Sequence, residues 1–214
     1  MHHNQELKYI LCYNTMSAKI TCNICNKKFK KIYEHYDTCA YNKYKNKSGY
    51  LVMLHSYGTM GHIYYMHTIM GTEVNFKQID KLIRKTWCEC CNHLSEFEKY
   101  INPENPKKTT TMKKQKLMSD YKEEDKFKYT YDFGSSTVVF IQIIKKLNGE
   151  EENNNIKVVL RNTNPIIKCT ECSKNAYYYV NDEPICKKCS KEYSDNDNLL
   201  KIVNSPRTGI CGYE

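Results

Sequence analysis

The sequence predicts an α+β protein, in which a mixed β-sheet core domain with few helices is flanked by two small zinc-binding modules. Apolar and polar residues alternate over 62–70 and over 127–133, as they do in strands with one buried face. Asn75 can cap a helix in which apolar residues recur at helical spacing. Twelve cysteines, several of them in pairs two residues apart, are typical of metal-binding modules.

The strands of the second half of the core complete the sheet. Thr137 to Lys146 is largely apolar on both faces, which predicts a central strand. Asn148 to Asn155 has the polar composition of a hairpin turn, and residues 156–161 return as a further strand. Together with the helix at Asn75, these segments predict a core domain over residues 50–165.

The rest of the chain divides into smaller parts. Residues 1–47 predict a separate N-terminal finger, and residues 166–214 predict a zinc ribbon followed by a tail that packs on the core. Within the core domain, residues 103–122 have no apolar period but contain two prolines, three threonines and six lysines. They predict a flexible, lysine-rich surface insertion.

Composition excludes several classes of protein. Hydrophobic residues make up 40% and charged residues 27% of the 214 residues, so the chain can build a packed core. No apolar run approaches the roughly 18 residues that a membrane helix needs, and Met1 to Met16 lack the apolar region of a secretory leader. We therefore expect an intracellular protein, cytoplasmic or nuclear, whose cysteines bind metal rather than form disulfides.

A four-cysteine motif near the C-terminus carries the strongest chemical signal. It consists of two pairs with two residues inside each pair and thirteen between the pairs, namely Cys169, Cys172, Cys186 and Cys189. Each pair lets two thiolates reach one tetrahedral ion, and Ala176 to Val180 suits a short strand that brings the second pair back to the first. The spacing predicts one structural zinc ion.

A second zinc motif lies near the N-terminus, with the ligand order Cys-Cys-His-Cys. Its predicted ligands are Cys22, Cys25, His35 and Cys39. Basic residues surround it, and the candidate contacts to nucleic acid among them are Lys27, Lys28, Lys30 and Lys31. The alternative is a zinc-stapled module for protein contacts, in which the lysines only keep the surface soluble.

The centre of the chain holds further cysteines. Cys90 and Cys91 could form a third metal site with His93 and Cys211, although adjacent cysteines chelate one ion poorly, so we expect at most one of the two as a ligand. Two zinc ions are expected per chain, or three if this group binds metal. A free thiolate beside His93 could instead be a nucleophile. Arg207 is expected to pair with a carboxylate and to lock the tail.

Three segments resemble one known family. They are 87–97, which contains Trp-Cys-Glu-Cys-Cys-Asn-His-Leu-Ser-Glu-Phe, then 129–137 with Tyr-Asp-Phe-Gly, and 203–213. They are similar to the plasmid pRiA-type ORF-three-like family, also described as TnpR-like insertion-element passenger proteins. Asn92 replaces the family glycine, and Cys88 lies outside the family pattern. The resemblance implies an α+β fold with a mixed sheet and few helices, and it implies no reaction.

The charge distribution favours a binding function. The net charge of +9 comes from lysines in the finger and in 103–122, where the further candidate contacts to nucleic acid are Lys113, Lys114 and Lys116. The sequence has three arginines, so bidentate reading of bases is poorly supplied. The main hypothesis is a non-enzymatic zinc protein that binds nucleic acid or a nucleoprotein. The alternatives are a protein-interaction adaptor with structural zinc and, least favoured, a Cys/His thiol enzyme.

Overall fold

A nine-stranded antiparallel sheet forms the centre of the computed structural model, which describes residues 20–29, 39, 41–58, 61–102, 105–193 and 198–214. The strands in chain order are β1 (Ile20–Cys22), β2 (Lys28–Phe29), β3 (Ser48–Tyr57), β4 (Ile63–Met70), β5 (Ser95–Asn102), β6 (Asn105–Met112), β7 (Lys126–Tyr131), β8 (Thr137–Asn148) and β9 (Ile156–Asn162). Their order across the sheet is β2-β1-β9-β4-β3-β8-β7-β5-β6. The α+β class with few helices is therefore confirmed.

The direction of the strands differs in one respect from the expected mixed sheet. Every ladder between named strands in the described residues is antiparallel, and the parallel pairing found there is the isolated bridge between Lys47 and Glu151. Strands that follow each other along the chain, such as β3 and β4 or β7 and β8, pair directly. Such short connections produce antiparallel neighbours, because a parallel pair needs a longer crossover.

One helix covers a face of this sheet. It is α2 (Phe76–Ile83), after the short α1 (Tyr41–Tyr44), and its capping box between Asn75 and Gln78 confirms the predicted start. Phe76, Ile79 and Ile83 are buried in the main core, and a π-helical turn over Arg84–Cys88 follows. No helix in the described ranges is long and apolar enough to cross a membrane.

Residues 105–122, the described part of the expected insertion, contain more secondary structure than the sequence predicts. β6 pairs with β5, and a 3₁₀ turn over Met118–Asp120 buries Met118. The strand has no apolar period because it lies at the sheet edge, where backbone hydrogen bonds to β5 hold it and few of its side chains need burial. The expected flexible insertion is therefore replaced by an edge strand and a turn.

The first cysteine segment also differs from the expected separate module. β1 pairs with β9, with Cys22 opposite Leu160, so this segment extends the central sheet. Ile24, Tyr41 and Tyr44 pack against a second cluster of buried apolar residues, which is separate from the main core beneath the helix. Without β1, strand β9 would be an edge strand with unpaired backbone groups, and β1 satisfies those groups.

The second cysteine segment forms a sheet of its own. Its strands are β10 (Tyr178–Val180), β11 (Glu183–Ile185) and β12 (Leu200–Lys201), in the order β11-β10-β12. β12 belongs to the tail, so the tail leaves the ribbon as a paired strand before it reaches the core.

Candidate metal centres

Among the residues that the structure describes, three groups of side chains place ligand atoms within 4.8 Å of one another. They are the finger cluster (Cys22, Cys25 and Cys39), the ribbon cluster (Cys169, Cys172, Cys186 and Cys189) and the junction cluster (Cys90, Cys91, His93 and Cys211). His35, the fourth predicted ligand of the finger, lies outside the described residues. The cysteines of all three clusters are free thiols in the structure.

The separations between ligand atoms fit a tetrahedral zinc ion. Zinc at about 2.3 Å from sulfur and about 2.05 Å from imidazole nitrogen places two sulfurs about 3.8 Å apart, and sulfur and nitrogen about 3.6 Å apart. The measured Sγ–Sγ distances are 3.9 Å for Cys22–Cys39, 3.6 Å for Cys172–Cys186 and 3.8 Å for Cys91–Cys211, and Cys211 Sγ lies 3.5 Å from His93 Nε2. A disulfide would need about 2.05 Å. The clusters are therefore compatible with metal binding.

Two tight turns shape the ribbon cluster. Ser173 N–H donates to the Cys169 carbonyl at 3.0 Å, and Ser190 N–H donates to the Cys186 carbonyl at 2.9 Å. The backbone N–H of Cys189 lies 3.5 Å from Cys186 Sγ, and this hydrogen bond is the main reason why the pKa of Cys186 is lowered to about 6. Thiolate is the form that binds metal, so the turns prepare the site for a cation.

The finger cluster is built on the β1–β2 turn. Cys22 N–H donates to the Lys27 carbonyl at 3.0 Å, and Asn26, with a φ of 56°, makes a left-handed bend directly after Cys25. The backbone N–H of Lys27 lowers the pKa of Cys25. Lys27 and Lys28 are exposed on the same turn, whereas Lys30 and Lys31 are not among the described residues.

The junction cluster joins two distant parts of the chain. Cys90, Cys91 and His93 follow the π-helical turn, and Cys211 comes from the tail. Both adjacent sulfurs lie within the same 4.8 Å limit, and the expectation that at most one of the two is a ligand stays a prediction. The left-handed turn at Asn92, with a φ of 56°, folds His93 back toward them.

Arg84 and Glu89 hold the loop of the junction cluster in place. The Arg84 guanidinium donates to Asp80 at 3.1 Å, to Glu89 at 2.8 Å and to the His93 carbonyl at 2.8 Å. Glu89 Oε1 accepts the Asn92 N–H at 2.6 Å. Asp80, Arg84 and Glu89 are not among the residues predicted from the sequence. The i, i+4 spacing of Asp80 and Arg84 is typical of a helical ion pair, and it carries no signal for contacts to a loop.

Arg207 fixes the tail beside this loop. Its buried guanidinium donates to Asp132 Oδ2 at 2.6 Å and to the Ser135 carbonyl at 2.8 Å. The hydrogen bond from Arg207 to Asp132 is the main reason why the pKa of Asp132 is lowered to about 2. The Tyr131 ring centroid lies 4.8 Å from the guanidinium of Arg84 and 5.0 Å from that of Arg207. Arg207 therefore pairs with a carboxylate and locks the tail, the role that the sequence favoured.

The lysines named as nucleic-acid contacts do not share one surface. Lys113 is exposed and Lys116 lies 3.7 Å from Asp120, but Lys114 is used inside the protein, 3.2 Å from Asp80 and 2.6 Å from Ser95 Oγ. These lysines follow β6, which is eight inter-strand steps, or about 38 Å along the sheet, from β2 and the finger. Lys114 is therefore engaged in an ion pair with Asp80, and a nucleic-acid contact through it stays a prediction.

Comparison with known proteins adds little to this geometry. Neither the models of known protein families nor the curated proteins gave a match. Among solved structures, the chain is similar to the crystal structure of a protein of unknown function from Methanosarcina mazei Go1. The identity is 23%, the match covers 54% of this chain and 70% of that chain, and the TM-score is 0.42.

Proposed function

We propose that this chain is a non-enzymatic, intracellular zinc-binding protein that contacts the nucleic-acid backbone through its finger cluster. The observation that carries the proposal is the tetrahedral spacing of thiols in the finger and ribbon clusters, together with exposed Lys27 and Lys28 on the finger turn. Zinc in these two clusters is structural, and it holds the lysines on a rigid turn. Reduced thiols at such sites fit a cytoplasmic or nuclear compartment.

The internal use of the arginines supports backbone contacts rather than base reading. Arg84 and Arg207 are committed to carboxylates, and Arg161 donates to the carbonyls of Thr86 and Asn204. Bidentate reading of guanine usually needs a free guanidinium. Binding should therefore depend strongly on salt and weakly on sequence.

The test compares two double variants that change the same charge at opposite edges of the sheet. Lys27→Glu with Lys28→Glu should weaken binding to a fluorescent DNA duplex and reduce the salt slope by about 1.8, since each lost phosphate contact removes about 0.9. Lys113→Glu with Lys116→Glu is the matched control and should leave affinity almost unchanged. Equal effects of both pairs, or no effect of the finger pair, would contradict the proposed contact.

One observation favours protein adaptor function as a second candidate. Leu94 and Phe133 are 75% and 57% exposed. Their backbone segments are adjacent, because the N–H of Asp132, the residue before Phe133, donates to the Leu94 carbonyl at 2.9 Å. Exposed apolar side chains in proximity are typical of protein contacts. An adaptor predicts a partner that survives nuclease treatment in pull-downs and is lost with Leu94→Ser and Phe133→Ser.

We also propose membership of the plasmid pRiA-type ORF-three-like family. The support is that the segments carrying the resemblance, 87–97, 129–137 and 203–213, meet around the junction cluster through Arg84, Tyr131 and Arg207. Residues far apart in sequence that converge on one place are consistent with a shared site. An experimental structure of a family member should show the same three segments in contact; separation of the tail from the loop there would count against the assignment.

A further inference from the structure

We infer that the junction cluster is a third zinc site, with Cys90, Cys91, His93 and Cys211 as ligands, and that its metal fastens the C-terminal tail to the sheet. This goes beyond the proposed function, which requires zinc only in the finger and ribbon clusters. The argument depends on the spacing of the ligand atoms, on the charge around them and on the backbone that presents them.

Two distances between ligand atoms of the junction cluster agree with the distances expected around a tetrahedral zinc ion. The 3.8 Å between the sulfurs of Cys91 and Cys211 and the 3.5 Å between Cys211 Sγ and His93 Nε2 agree with the edges of about 3.8 and 3.6 Å expected for zinc. Cys90 Sγ completes a four-ligand set within 4.8 Å. A set of three thiolates and one imidazole is typical of closed structural zinc sites.

The neighbouring carboxylate is not available as a fifth ligand. Asp132 Oδ2 lies 3.6 Å from His93 Nε2, but the same oxygen accepts from Arg207 at 2.6 Å. Its other oxygen accepts the backbone N–H groups of Gly134 and Ser135 at 3.0 and 3.2 Å. Asp132 therefore keeps Arg207 in place, and the cysteines and His93 remain for the metal.

Arg207 also supplies positive charge beside the site. Three thiolates around Zn²⁺ leave one net negative charge. The guanidinium of Arg207 is fully buried and interacts with Cys90 as well as with Asp132. A buried cation beside a ligand sulfur stabilises an anionic metal complex more than it would a neutral thiol.

One residue in each of the two segments that form the site has a left-handed backbone conformation. Asn92 has a φ of 56° and Cys211 a φ of 53°, and neither is a glycine. A left-handed conformation at a cysteine costs free energy, so the surrounding structure must maintain it. A metal bond to Cys211 provides that constraint. The same bond excludes a free nucleophilic thiolate there, because a zinc-bound sulfur is already committed.

The tail clamp follows from the positions of the ligands in the chain. Cys211 is 118 residues from His93, so a shared ion closes a long loop between the core and the tail. Ser205, whose hydroxyl donates to the Trp87 carbonyl at 2.5 Å, and Arg207 anchor the tail before the cluster. The metal would hold the segment beyond them.

The test counts zinc per chain by native mass spectrometry in matched variants. Cys211→Ser and His93→Gln should each lower the count by one relative to the unmodified chain, and Cys88→Ala, which removes a thiol outside the cluster, should leave it unchanged. The comparison with the unmodified chain keeps this result separate from the finger and ribbon zinc. An unchanged count in both ligand variants would overturn the inference, and His93→Gln decides alone if Cys211→Ser does not fold.

Two further readouts test the clamp itself. In the zinc-bound protein, the exposed thiols of Cys91 and Cys211 should resist alkylation by iodoacetamide and should react after chelation. Hydrogen exchange should increase over 203–213 in His93→Gln while β10 and β11 keep their protection. Rapid alkylation before chelation, or an unchanged tail, would contradict a metal clamp.

Discussion

The ribbon and junction clusters bring similar ligands together by different means. The ribbon cluster takes four cysteines from 169–189, and three of the four are buried beside Val180 and Ile185. The junction cluster takes its ligands from two ends of a long loop, and its outer sulfurs, on Cys91 and Cys211, are exposed. The ribbon cluster is a local staple, whereas the junction cluster depends on the whole sheet being folded.

This difference indicates in which cluster metal binding is coupled to folding. In the ribbon, two cysteine turns present all four ligands from one short segment, so we expect metal binding and local folding to be coupled there. At the junction, Arg84, Glu89 and Arg207 position the loop and the tail by hydrogen bonds of their own. Loss of zinc should therefore unfold the ribbon locally but only loosen the tail.

The largest expected effect concerns the ion pair under the junction cluster. Arg207→Met should lower the free energy of unfolding by about 3 to 5 kcal/mol, because it leaves Asp132 without its buried partner. Urea denaturation measures the change, and Lys191→Met, which removes an exposed cation from the ribbon, is the control. A loss below about 1 kcal/mol would mean that Arg207 does not lock the tail.

Two buried histidines in the sheet, outside the metal clusters, should make the stability of the protein depend on pH. Burial, with a smaller contribution from Lys126, lowers the pKa of His55 from 6.5 to about 4, and burial has the same main effect on His67. Below pH 6.5 the two histidines of the unfolded chain bind protons, whereas those of the folded chain stay neutral. The free energy of unfolding should therefore decrease as the pH is lowered from about 6.5 to about 4.

His55→Phe tests this dependence, because phenylalanine can keep the stacking on Phe140 and cannot titrate. Urea denaturation over this range, on protein kept in chelator, should show a shallower pH slope than the unmodified chain. His62→Phe, at a less buried histidine, should change the slope less. Equal slopes for His55→Phe and the unmodified chain would contradict the pKa shift of His55.

A ligand change in the ribbon should stay local. Cys186→Ser should remove one zinc ion and abolish hydrogen-exchange protection in β10 and β11, because those strands are short and pack on the cysteines. Protection in β3 and β8 should not change. Spread of the loss into these central strands would show that the ribbon is part of the cooperative core.

The smallest effect should come from the loop support of the junction cluster. Glu89→Gln weakens the contacts to Arg84 and to the Asn92 N–H, so zinc affinity at the junction should fall about tenfold while ribbon affinity is kept. Competition with a chromophoric chelator measures both, and Glu150→Gln on an exposed turn is the control. A fall in ribbon affinity as well would indicate a general loss of stability.

Local patterns made part of this architecture predictable. The capping box at Asn75, the apolar run of β8 and the paired cysteines of the ribbon each depend on residues close in sequence. Side-chain period and ligand spacing follow from backbone geometry, so the sequence alone reveals them.

The rest depended on contacts between distant segments. β1 pairs with β9 through backbone groups, which every residue carries. This pairing therefore leaves no pattern of side chains in the sequence of either strand. The strand at 105–112 lacked an apolar period because it lies at the other edge. The partners of Arg207 and Arg84 come from separate elements, and only the folded sheet brings them together.

We propose that the chain holds three zinc ions, one of which joins the tail to the sheet. Anomalous diffraction above and below the zinc absorption edge, from crystals grown without chelator, tests it most directly. We expect three peaks, including one between Cys91, His93 and Cys211. Peaks confined to the finger and ribbon clusters would contradict the account.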